Sequence, residues 1–231
     1  MAKRDIQDIK LVPNTRHSIV QLMVAIIGVF ITIFGITMFN RYLLMQFSLG
    51  VRMLLMIVTQ WSMMLVPIIL VKINRDKFRD YWMITENIPK QIMIGIILAL
   101  FMSLFLTIVP ILLGFKEMVG STSYSQPWQF IYEFVYVIIG VALAEEFVFR
   151  GYIFNKLLEI KNSRWFAIIM SSMLFGIFHI FNGNLLQVFM TAILGFLFCI
   201  FREKIKDCTL LSLVIAHGLY DGMITLWVAA L

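Results

Sequence analysis

Seven long apolar runs constrain this chain more than any other feature. They lie at about 18–39, 53–71, 91–114, 128–150, 165–181, 185–201 and 209–231. Several reach the length of about 18 residues that crosses a bilayer as a helix. A spanning segment must satisfy its own backbone hydrogen bonds, so runs of this length predict helices and not isolated strands. The fold class is therefore all-α, a polytopic transmembrane helical bundle of about seven spans. The fourth helix is expected to run on past the bilayer, through the stretch YIFNKLLEI. Composition agrees, with 61% hydrophobic and only 14% charged residues. At 231 residues the chain has room for one compact bundle and no sizeable soluble domain.

The net charge of +6 would hint at nucleic acid in a soluble protein. Here topology explains it better, and no nucleic-acid partner is expected. With the N-terminus in the cytoplasm, all but Arg41, Arg52 and Lys116 of the 19 Lys and Arg residues fall on inside segments or inner span ends. That distribution follows the positive-inside rule and places the protein in the cell membrane as a multi-pass chain in contact with lipid. The basic N-terminus and the long run after it read as a retained first span, not a cleaved signal. Cys199 and Cys208 do not suggest a disulfide framework.

Ionisable groups inside spans are costly, so they mark a candidate functional site. Three clusters occur, all in the second half of the chain. They are Glu145, Glu146 and Arg150 in EEFVFR; Phe175 and His179 in FGIFH; and His217 and Asp221 in HGLYD. Glu146 and Arg150 are four apart and share a helix face, as do Phe175 and His179, and His217 and Asp221. Glu145 points about 100° away from Glu146, so one carboxylate can pair with arginine while its neighbour faces elsewhere. Glu145 and His179 lie equally far from Asn162, each roughly 25 Å along its helix, so the two are level across the fourth and fifth spans.

A carboxylate level with a neutral histidine can hold and deprotonate a water. A second histidine can donate to a developing oxyanion. These parts suit hydrolysis of an amide or ester. Each cluster also has a bland reading: a buried structural ion pair for Glu146 and Arg150, a cross-helix hydrogen bond for His179, a local contact for His217 and Asp221. Phe175 is most simply a packing residue. Zinc is the rival chemistry, because Glu145, His179 and His217 form a two-histidine, one-carboxylate set with an open position. No HExxH motif accompanies it.

These motifs resemble the CAAX protease and bacteriocin-processing family, also called the Abi family. EEFVFR matches its EExxxR motif, FGIFH its FxxxH motif, and HGLYD its final HxxxN motif, in which aspartate also occurs. The resemblance implies a helical bundle with a polar cavity open towards the cytoplasm. It implies an intramembrane endopeptidase needing no cofactor, acting on a membrane-associated peptide or protein. Residues 1–127 would form an N-terminal segment and three spans, and 128–231 the catalytic region. By the resemblance Glu145 activates water with His179, His217 and Asp221 stabilise the oxyanion, and Glu146, Arg150 and Phe175 support the site. Asp221 departs from the commoner amide; an ionised aspartate cannot donate to an oxyanion, and it can instead orient His217. The competing readings are a non-catalytic membrane protein for bacteriocin immunity or partner binding, and a proton-coupled transporter. The paired broken helices that would favour transport are not evident.

Overall fold

A computed structural model describes residues 15–82, 87–181 and 185–231 of the chain. The N-terminal residues expected to lie in the cytoplasm fall outside the described set. Seven long helices organise the described residues. They are α1 (Thr15–Tyr42), α2 (Leu49–Ile73), α3 (Ile88–Leu112), α4 (127–160), α5 (Arg164–Phe178), α6 (Leu185–Lys204) and α7 (Leu210–Ala230). No strand occurs among the described residues. Five of the helices, α1, α2, α3, α6 and α7, are long and apolar enough to cross a membrane. The protein is thus a multi-pass membrane protein. α5, at 15 residues, is shorter than a full span, and α4 carries the charged groups of the site.

The helices begin where local chemistry starts them. Pro127 opens α4, and the Gln129 side chain accepts from the backbone N–H groups of Ser125 and Gln126. Asn87 caps α3 by accepting from Lys90 N, and Ser163 caps α5 by accepting from Phe166 N. The expected continuation of the fourth helix holds: residues 154–160 extend α4 to the turn before α5.

α4 is the axis of the bundle and is not a regular helix. Residues Tyr136–Ala142 and Phe147–Ile153 wind as π-helix, with the α-helical turn Leu143–Glu146 between them. Wide turns of this kind are rare and recur at functional positions. The sequence reading assumed uniform 3.6-residue spacing and did not anticipate them.

Close helix approach fixes the other elements around α4. A Cβ on Gly176 would stand 2.5 Å from the Val188 carbonyl, so α5 and α6 touch there through backbone. A Cβ on Gly218 would meet Ile138 at 2.6 Å, which sets α7 against the first half of α4. Cys199 and Cys208 are free thiols, both buried.

One end of the bundle is tied by polar contacts. Ser18 Oγ donates to Glu159, His17 bonds Asn74, Lys90 pairs with Asp207 and Lys156 pairs with Asp76 and Glu159. These contacts place the start of α1 and the ends of α2 and α4 together. The opposite end carries the α1–α2 connection and the start of α4, where Tyr132 Oη donates to the Met53 carbonyl.

Candidate active site

The two adjacent glutamates sit on the α-helical turn between the two π segments of α4. Their surroundings differ. Glu146 is fully buried; its Oε1 accepts from Arg150 Nη1 at 3.0 Å and lies 2.8 Å from His217 Nδ1. Arg150 is also fully buried, with its guanidinium 4.2 Å from the Phe175 ring centroid and 5.2 Å from that of Phe198. A buried ion pair is tolerated when charge, hydrogen bonds and aromatic faces surround it in this way.

Glu145 has no hydrogen bond among the described residues. It faces two imidazoles instead. His179 Nε2 stands 3.9 Å from Glu145 Oε1, and His217 Nε2 stands 3.8 Å from Glu145 Oε2. The equal distances from the α4–α5 turn inferred from sequence are met by this contact. His179 closes the C-terminal end of α5, where its Nδ1 lies 2.7 Å from the Phe175 carbonyl. A carbonyl only accepts, so Nδ1 carries the proton and Nε2 of the neutral ring turns its lone pair toward Glu145. An ionised Glu145 and this nitrogen are then two acceptors about 4 Å apart, a spacing that one water molecule can bridge by donating to both.

His217 connects the two carboxylates. Its Nδ1 faces Glu146, and its Nε2 lies 3.3 Å from Asp221 Oδ2, one turn on along α7. The sequence reading assigned Glu146 to Arg150 alone. The structure adds His217 as a second partner, so Arg150, Glu146, His217 and Asp221 form one continuous polar chain. Asp221 approaches His217 directly, the orienting arrangement weighed from sequence. Phe175 does more than fill space: its ring meets His179 edge-on at 4.7 Å and His217 at 6.1 Å, and it lies under Arg150. All seven residues singled out from sequence therefore converge.

A cavity of about 470 Å³ adjoins Glu145 and His179. Its other walls include Ile33, Thr37, Asn40 and Arg41 of α1, Gln60 and Met63 of α2, and Tyr136 of α4. The sequence placed the site in the second half of the chain, and these first-half residues were missed. Gln60 is a polar residue within an apolar helix, which was the available signal, whereas Asn40 sits in the last turn of α1 beside Arg41 and gave none. The cavity extends from Glu145 toward the α1–α2 connection. Two expectations thus conflict, since a cytoplasmic N-terminus puts this connection on the outer side and not on the cytoplasmic side. Among the described residues no group of three or more His, Cys, Asp or Glu side chains is arranged to hold a metal ion.

Residues 127–223 match the family model described as Type II CAAX prenyl endopeptidase Rce1-like. The matched segment contains all three motifs and every candidate site residue, and it is consistent with the CAAX protease and Abi resemblance. No curated protein and no solved structure matches the chain.

Proposed function

We propose that this chain, whose segment 127–223 matches the Rce1-like CAAX prenyl endopeptidase family model, is an intramembrane endopeptidase that hydrolyses a peptide bond with a glutamate-activated water. The observation that carries the reading is Glu145, a carboxylate held between two imidazole Nε2 atoms at 3.8 and 3.9 Å and open to a cavity. Glu145 and His179 hold the water between them. As the water attacks the scissile carbonyl, its proton passes to Glu145. His217 stands beside the same carboxylate and, when Asp221 releases its Nε2, donates to the oxyanion. Glu146 fixes His217 through Nδ1, and Arg150 holds Glu146. The proton on Glu145 then passes to the departing amine, which returns the carboxylate to its starting state.

The substrate is a membrane-associated peptide or protein, met in the lipid of the cell membrane. The reaction as written needs no cofactor. A zinc ion held by Glu145, His179 and His217 is the rival, and it would have to displace the contacts of His217 with Asp221. The test compares membranes holding equal amounts of wild type or Glu145→Ala. Each is incubated with a peptide mixture, with and without a zinc chelator, and products are read by mass spectrometry. The expected result is products made by wild type alone and unchanged by chelator. Products lost on chelation would move the site to zinc. The same peptides left intact by wild type and variant would favour the binding or immunity role.

A further inference from the structure

The two directions leading away from Glu145 along α4 are built differently. Toward the turn with α5, Phe147, Val148, Phe149, Tyr152, Ile153 and Phe154 are each 0% exposed. A short helix, Phe78–Trp82, caps this stretch: Trp82 stacks on Phe147 at 5.2 Å and Tyr81 on Tyr152 at 5.4 Å. Tyr81 Oη in turn donates to Asp76, which pairs with Lys156. Interiors packed to this degree leave no passage for a peptide. In the opposite direction lies the cavity, walled by Asn40, Arg41, Gln60 and Tyr136. Asn40 is one of its wall residues, and the Asn40 Oδ1 has no hydrogen-bond partner among the described residues.

We infer that the site is served from the α1–α2 end of the bundle, that this end is the outer face of the membrane, and that the substrate is a peptide segment presented there. The side follows from charge. Among the described residues the packed end holds most of the basic side chains, among them Lys72, Lys77, Lys161 and Arg164, whereas Arg41, Arg52 and Lys116 lie at the other. The positive-inside rule puts the basic end in the cytoplasm. The amide groups of Asn40 and Gln60 give the entry path polar partners for a peptide backbone. The word substrate rests on the peptidase reading; the side from which the cavity opens does not.

Cysteine labelling of the full chain in intact cells decides the matter without any need for turnover. Three variants are used: Gly50→Cys by the α1–α2 connection, where an added Cβ meets nothing within 4 Å; Asn40→Cys in the cavity; and Asn162→Cys in the exposed α4–α5 turn. The native thiols give little background, since both are buried and burial pushes the Cys208 thiol up to about 12. With a membrane-impermeant maleimide, Gly50→Cys and Asn40→Cys are expected to label several-fold above wild type in intact cells. Asn162→Cys is expected to label only after the cells are opened. Labelling of Asn162→Cys in intact cells, or of Asn40→Cys only after opening, would overturn the inference. So would an Asn40 cysteine unreactive from both sides while Gly50→Cys labels.

Discussion

Glu145 and Glu146 are neighbours in sequence and occupy two different regions of the molecule. Glu146 lies in a closed region, with a guanidinium at 3.0 Å, an imidazole at 2.8 Å and aromatic rings beyond. Glu145 lies at the edge of an open one, with imidazoles at 3.8 and 3.9 Å and a cavity beside it. The same side chain therefore has different work in each place. A carboxylate whose Oε1 is held by a guanidinium and an imidazole, as in Glu146, stabilises structure. A carboxylate without such donors can bind and activate a water.

Substitutions can break or sharpen this contrast. The largest effect is expected for Glu145→Ala, with cleavage reduced about 10³-fold or more while the unfolding temperature in detergent changes little. Unfolding of that variant at the temperature where wild type is stable would make Glu145 structural. Next comes Arg150→Ala, which strands Glu146 as a buried charge and should cost about 3 kcal/mol of stability, read by thermal unfolding. An unchanged melting curve would show that the closed region does not depend on its ion pair. His179→Gln should slow cleavage about 100-fold at nearly constant stability, because the lone pair facing Glu145 is lost. Asp221→Asn should be mildest, within about tenfold of wild type, because an amide can still contact His217 and can itself donate to an oxyanion. A loss as large as that of Glu145→Ala would place Asp221 among the proton-moving groups.

Much of this arrangement was legible in the chain. The seven apolar runs coincide with the seven long helices of the described residues, but only five of these are long and apolar enough to cross a membrane, so run length located helices better than it counted spans. The common distance of Glu145 and His179 from Asn162 anticipated their contact, since an antiparallel helix pair preserves level. Other features left no such record. The π segments flanking the glutamates change the winding without an obvious change in residue type. The second partner of Glu146 comes from α7, 71 positions away, and helical spacing reports only local neighbours. The walls supplied by α1 and α2 depend on how helices pack, which periodicity does not encode. The short helix Phe78–Trp82, which closes the basic end, sits in a stretch read as a link. Its aromatic residues are legible as apolar, but their stacking on α4 is not.

The contrast between the two carboxylates is tested most directly by the cleavage rate per folded molecule of Glu145→Gln against Glu146→Gln. Both changes remove one charge and keep the side chain's shape. The account predicts that Glu145→Gln remains folded and cleaves at background rate, while Glu146→Gln loses several kcal/mol of stability and keeps measurable cleavage in whatever fraction stays folded. A folded Glu145→Gln that cleaves like wild type would contradict the account.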